Sequence, residues 1–126
     1  MPGRKKILVI DGDDNLLAST RELLEKEGYK VFTHRLAFGS ISAVDHVKPD
    51  LVLLDINMPG LSGDRLAYML KTTEKTKDVP IVFYSSSDED TLRKATAEHR
   101  ARGYISKGNI FDLRSKIRDY LLLPDK

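Results

Sequence analysis

The chain has 126 residues, of which 40% are hydrophobic and 32% charged, with a net charge of +2 at pH 7. This is the size and balance of one globular domain, able to bury about two thirds of its unfolded surface. The charge gives no support to nucleic-acid or membrane binding, the lack of cysteine excludes disulfides and thiolate metal sites, and no apolar run is long enough for a signal-peptide core or a bilayer span.

The basic start, Met1 to Lys6, leads into Ile7-Leu8-Val9-Ile10, a short continuous apolar run that reads as a strand buried on both faces. It ends at Asp11. Asp13 then stands where the N-cap of a helix belongs, and Leu16, Leu17, Leu23 and Leu24 share one stripe of that helix up to Glu27-Gly28. Tyr29 to Thr33 alternates as a weaker strand with one wet face. Ile41, Val44 and Val47 mark a second, shorter helix.

Leu51-Val52-Leu53-Leu54 is the next buried strand, and Asp55 ends it. A carboxylate delivered to the rim of a core is where chemistry is to be sought. Leu66, Met69 and Leu70 form the stripe of a third helix. Ile81-Val82-Phe83-Tyr84 is the fourth strand, leading to Ser85-Ser86-Ser87. Ser87-Asp88-Glu89-Asp90 has capping-box spacing, with Ser87 as the expected cap, and Leu92, Ala95 and Ala97 suggest a more polar fourth helix. Tyr104-Ile105 is a short fifth strand, followed by Ser106-Lys107. Asn109, with Asp112 three residues on, opens a fifth helix carrying Ile110, Leu113, Ile117, Tyr120 and Leu121.

Five βα units with short connections predict an α/β fold. The expected form is a flavodoxin-like (βα)5 three-layer sandwich with a parallel sheet of order 2-1-3-4-5. The expected organisation is a single domain over 1–126, with a core of about 6–122 and no output domain.

Such sheets place their functional groups at the carboxyl edge of the strands. Asp11, Asp55, Ser85 and Lys107 all fall there, with Asp11 and Asp55 on adjacent strands. Two close carboxylates repel unless a cation lies between them, and oxygen ligands without His or Cys suit a hard ion such as Mg2+. A lysine and a hydroxyl opposite are suited to receiving a tetrahedral oxyanion. Together they suit phosphoryl transfer onto Asp55.

These residues carry a resemblance over Lys6 to about Leu122. The pieces are Ile7 to Asp11; Pro49 to Asp55 with Met58-Pro59-Gly60 and Gly63; Pro80-Ile81-Val82 leading to Ser85; and Tyr104-Ile105-Ser106-Lys107. In this order and spacing the chain resembles the receiver domain of two-component response regulators. The resemblance implies that Asp55 is the phosphoacceptor, Asp11 a member of the acidic pair, and the Asn57 main-chain carbonyl a metal ligand. It implies that Ser85 is the switch hydroxyl that moves onto the phosphoryl group, Lys107 the lysine that pairs with it, and Tyr104 the aromatic that turns inward when the hydroxyl moves. Asn57 and Ser87 match positions that tune acyl-phosphate hydrolysis.

It further implies a cytoplasmic phosphorelay module, not an enzyme in the turnover sense. Its phosphoryl donor would be a sensor histidine kinase or phosphotransfer protein. Its target would dock on the face of the fourth helix, fifth strand and fifth helix, with no direct nucleic-acid or membrane contact.

Two positions depart from the family pattern. Gly12 stands where receivers usually have a second acid, which leaves Asp13 either to substitute as a Mg2+ ligand or to cap the first helix; Mg2+ binding is expected to be weak. Gly108 stands where proline usually follows the lysine, so Lys107–Gly108 is expected to be trans, with a looser loop. A pseudo-receiver, binding proteins without phosphate, is the alternative reading. A flavin-type cofactor binder fits poorly, because Asp11, Asp13 and Asp14 occupy the place of a phosphate-cradling loop. His34, His46 and His99 show no ligand spacing.

Overall fold

The computed structural model describes residues 3–123; Met1, Pro2 and the closing Pro124-Asp125-Lys126 lie outside them. Five strands alternate with five helices: β1 (Lys6–Ile10), α1 (Asp14–Lys26), β2 (Lys30–His34), α2 (Ser40–Val47), β3 (Leu51–Leu54), α3 (Gly63–Thr72), β4 (Ile81–Ser85), α4 (Glu89–Glu98), β5 (Gly103–Ser106) and α5 (Ile110–Leu122). The sheet is parallel throughout, in the order β2-β1-β3-β4-β5.

Side chains alternate across each strand, and the two faces build two cores. Leu8, Ile10, Val52, Leu54, Ile81 and Phe83 pack with Val44 of α2, Leu66, Ala67 and Leu70 of α3, and Leu92 and Ala95 of α4. Ile7, Val9, Leu51, Leu53, Val82, Tyr84 and Ile105 pack with Leu17 and Leu24 of α1 and Leu113 and Ile117 of α5. Central strands with apolar residues on both faces account for the unbroken apolar runs.

Three local expectations are corrected. Met69 and Ala97 were placed on buried stripes, yet both are exposed, and Ala67 fills the α3 contact instead. Ile110 is half exposed at the start of α5, so the buried stripe of that helix begins at Leu113. Ser87 does not cap α4. Asp88 does, its carboxylate accepting the Thr91 amide at 2.8 Å.

The register sets up the site. Ile10 lies beside Leu54, and the Asp55 amide donates to the Ile10 carbonyl at 3.0 Å. Asp11 and Asp55 therefore leave neighbouring strands side by side. At the other border of β4, Ser85 pairs with Ser106, and the Lys107 amide donates to the Ser85 carbonyl at 3.0 Å.

Candidate phosphoacceptor site

Asp11 and Asp55 are both buried, at 2% and 6% exposure, which is costly for carboxylates without a countercharge. Lys107 supplies it. Its Nζ lies 2.7 Å from Asp11 Oδ2 and 3.5 Å from Asp55 Oδ2. The other Asp11 oxygen accepts the Asp13 amide at 2.9 Å, and Asp55 Oδ1 accepts the Asn57 amide at 3.3 Å.

Burial nevertheless raises the Asp55 pKa above the ordinary carboxylate value. Lys107 opposes the rise and Asp11 adds to it, while the Asn57 amide and the Ser85 hydroxyl pull back toward ionisation. A raised folded value means that the folded state holds this proton to higher pH than the unfolded chain does. Stability therefore falls as pH rises through the window between the two values. Asp55→Asn is expected to be more stable than the parent chain at neutral pH. The gain should vanish below about pH 4, where the carboxyl is protonated in both states. Urea unfolding of both chains across this range is the check, and a gain that persisted at acid pH would contradict the assignment.

Ser85 is fully buried at the end of β4. The Asn57 side-chain amide donates to Ser85 Oγ at 3.3 Å and to Ser87 Oγ at 2.7 Å, and the Ser87 amide also donates to Ser85 Oγ at 3.3 Å. Freed from capping, Ser87 belongs to this polar cluster. Tyr104, half-buried in β5, donates its hydroxyl to Glu89 in the first turn of α4 at 3.0 Å, and Lys116 of α5 lies 5.6 Å from its ring centre. Glu89 is also paired with Arg93 at 3.7 Å.

Of its two open roles, Asp13 takes the cap: its carboxylate accepts the Asn15 and Leu16 amides at 2.9 and 3.3 Å. The φ of Gly12 lies outside the left-handed region that favours glycine. A Cβ there would instead sit 3.3 Å from Pro59 Cδ, so close packing is what a side chain at this position would disturb. The peptide bonds of the described residues are all trans, Lys107–Gly108 included, and Gly108 has φ +102°.

Three features of these surroundings were not visible in the sequence. Tyr84 lies under Lys107, with Nζ 5.8 Å from the ring centre. Thr20 is a buried polar residue of α1. His99, assigned nothing from spacing, has its Nε2 2.5 Å from Asp64 Oδ1, which ties the end of α4 to the start of α3.

Comparison with known proteins shows the family. The family model described as the response regulator receiver domain matches residues 7–118, and the chain belongs to that family. Among curated relatives, PilH of Pseudomonas aeruginosa is 28% identical over 102 residues, covering 81% of this chain and 84% of PilH. The polar-differentiation response regulator DivK of Brucella ovis is 27% identical over 107 residues, covering 82% and 84%. Among solved structures, the BeF3-activated N-terminal receiver domain of Klebsiella pneumoniae RstA superposes with a TM-score of 0.84 at 28% identity, covering 94% of this chain and 100% of that one. Vibrio cholerae CheY4 shares the fold, with a TM-score of 0.85 at 18% identity and coverage of 94% and 99%. Receiver domains are signalling modules of two-component systems.

Proposed function

We propose that this protein is a working phosphoacceptor module in which Asp55 takes a phosphoryl group from a phosphohistidine of a sensor kinase or phosphotransfer protein. The observation that carries this reading is the Lys107 ammonium set between two buried carboxylates, with the Ser85 hydroxyl beside one of them. An Asp55 oxygen attacks phosphorus, the P–N bond breaks, and the imidazole leaves with its electron pair. Lys107 then faces the new phosphoryl oxygens, and Ser85 offers its hydroxyl proton to one of them.

The donor set fits a hard cation: Asp11 and Asp55 supply two buried carboxylates, and the carbonyl of Asn57 is the third candidate. When bound, Mg2+ neutralises charge that develops on the phosphoryl oxygens. Asp13, committed to the α1 amides, is not part of the proposed set. The same fact favours the pseudo-receiver as the second reading, because a site short of one carboxylate holds its metal less well.

Incubation with acetyl phosphate and Mg2+, read by intact-mass spectrometry, decides between them. One phosphoryl group per chain is expected, absent in Asp55→Asn and declining as the pH falls toward the raised Asp55 value, where the carboxyl becomes a protonated, poor nucleophile. Asp13→Ala should lower stability by about 1 kcal/mol through loss of the cap while still accepting phosphate. No Asp55-dependent mass gain at any pH would leave the pseudo-receiver.

The output surface we assign to α4, β5 and α5. There Tyr104 and Glu89 join strand to helix through a hydrogen bond of 3.0 Å, so a change at Ser85 has a short path to an exposed face. No described helix is long and apolar enough to cross a membrane, and the proposed place of work is the cytoplasm.

A further inference from the structure

Lys107 is held in a way that the acidic residues alone do not explain. A lysine stem has four rotatable carbons and an ammonium that hydrogen bonds without a preferred plane. On its backbone side, the Lys107 amide donates to the Ser85 carbonyl at 3.0 Å. Gly108 follows with φ +102°, and a Cβ built on it would meet nothing within 4 Å. The next anchor beyond the lysine is Asn109, whose side chain accepts the Asp112 amide at 3.0 Å at the start of α5.

The side chain meets a third neighbour besides Asp11 and Asp55. The Tyr84 ring lies 5.8 Å from Nζ, inside the roughly 6 Å at which a ring's quadrupole attracts a cation. Tyr84 is itself immobilised. It is 7% exposed and packs in the core between the sheet and α1 and α5, with the hydroxyl of Thr20, 4% exposed on α1, near its phenol. A buried phenol calls for a polar partner, and Thr20 is the buried hydroxyl near it on the helix that follows Asp11. Burial also raises the Tyr84 pKa, so the ring stays a neutral phenol beside the ammonium.

We propose that Tyr84, anchored by Thr20, is a positioning residue that aims the Lys107 ammonium at the gap between Asp11 and Asp55. The ring acts from below the lysine stem, on the residue directly before Ser85 in β4, so one strand end orients both the hydroxyl and the cation. The consequence for phosphoryl transfer rests on Asp55 being the acceptor; the aiming of Lys107 does not.

The test compares the full chain with Tyr84→Leu, Tyr84→Phe and Thr20→Val. Two readouts are taken on chains shown to be folded. The first is the Lys107 ε-methylene NMR signal in protein with 13C-labelled lysine, assigned with Lys107→Arg. The ring should shift this signal upfield in the parent chain. Tyr84→Leu should return it to the ordinary lysine position, Tyr84→Phe should keep most of the shift, and Thr20→Val should reduce it. The second is the affinity for trifluoroberyllate, a phosphoryl mimic, at saturating Mg2+. Tyr84→Leu should weaken it about fivefold and Tyr84→Phe less than twofold. An ε-methylene signal in Tyr84→Leu identical to the parent overturns the proposal. So does a loss of affinity that is equal in Tyr84→Leu and Tyr84→Phe, because that would follow stability and not the ring. A parent chain that binds no trifluoroberyllate sinks the phosphoacceptor reading, and the NMR signal still decides the role of Tyr84.

Discussion

Lys107→Ala is expected to destabilise the protein by about 2 kcal/mol at neutral pH, and Mg2+ is expected to restore part of that loss. The three side chains of the cluster are 3%, 7% and 16% exposed for Asp11, Asp55 and Lys107. Removing one partner of a fully buried ion pair costs about 3–5 kcal/mol, because a charge is left without compensation. The loss here should be smaller, since Lys107 retains some contact with water and the raised pKa of Asp55 lets that carboxyl take up a proton. Urea unfolding with and without Mg2+ measures both effects. A divalent ion that binds the folded chain alone stabilises it by mass action, and its effect should be greater in Lys107→Ala than in the parent. Equal Mg2+ stabilisation in both chains would mean that the ion does not sit where Asp11 and Asp55 converge.

Gly63→Ala should be the most damaging single methyl. An added Cβ would lie 2.7 Å from the Asp55 carbonyl carbon and 2.9 Å from Ile56 Cα, with the Asp55 carbonyl oxygen nearer still. These are backbone atoms, which cannot rotate out of the way as a side-chain tip can. The Gly63 amide also donates to the Ile56 carbonyl at 2.8 Å, fixing the first turn of α3 against the loop after Asp55. Relief must come from displacing that loop, at about 3 kcal/mol, the upper end of the usual range for overpacking. If Asp55 is the acceptor as proposed, phosphorylation should suffer more than stability, because a shift of about 1 Å in a reacting group can reduce rate about a hundredfold. Acetyl phosphate kinetics at a temperature where Gly63→Ala is folded separate the two losses. A stable variant that is phosphorylated at the parent rate would show that the α3 start does not hold Asp55 in place.

Most of the architecture was legible because its signals are redundant. Ile7 to Ile10, Leu51 to Leu54 and Ile81 to Tyr84 are continuous apolar runs, and only a strand covered on both faces needs that pattern. The order of the sheet and the meeting of Asp11, Asp55, Ser85 and Lys107 at one edge followed from topology. What was missed depends on a single turn or a single contact. Ser87 and Asp88 are both good caps, and only the true start of α4 decides between them. Met69 and Ala67 flank Leu66 and Leu70 on opposite sides of the α3 stripe, and only the seating of the helix on the sheet decides which flank is buried. Tyr84 was counted as one apolar residue of a strand, since its meaning comes from Thr20 and Lys107, which are distant in sequence. Asp64 and His99 escaped for the same reason.

The hydroxyl of Ser85 has one proton and two nearby acceptors, Ser87 Oγ at 3.3 Å and the Asp55 carboxylate. Its lone pairs already receive the Asn57 side chain and the Ser87 amide. On the proposed reading, a phosphoryl group on Asp55 competes for a proton that is already allocated. Each net hydrogen bond of about 1 kcal/mol changes a two-state ratio about fivefold. The idle level of the switch and its gain are therefore coupled. Looser bonds to Ser85 make the module easier to trip and noisier at rest, and tighter ones make it quieter and harder to trip.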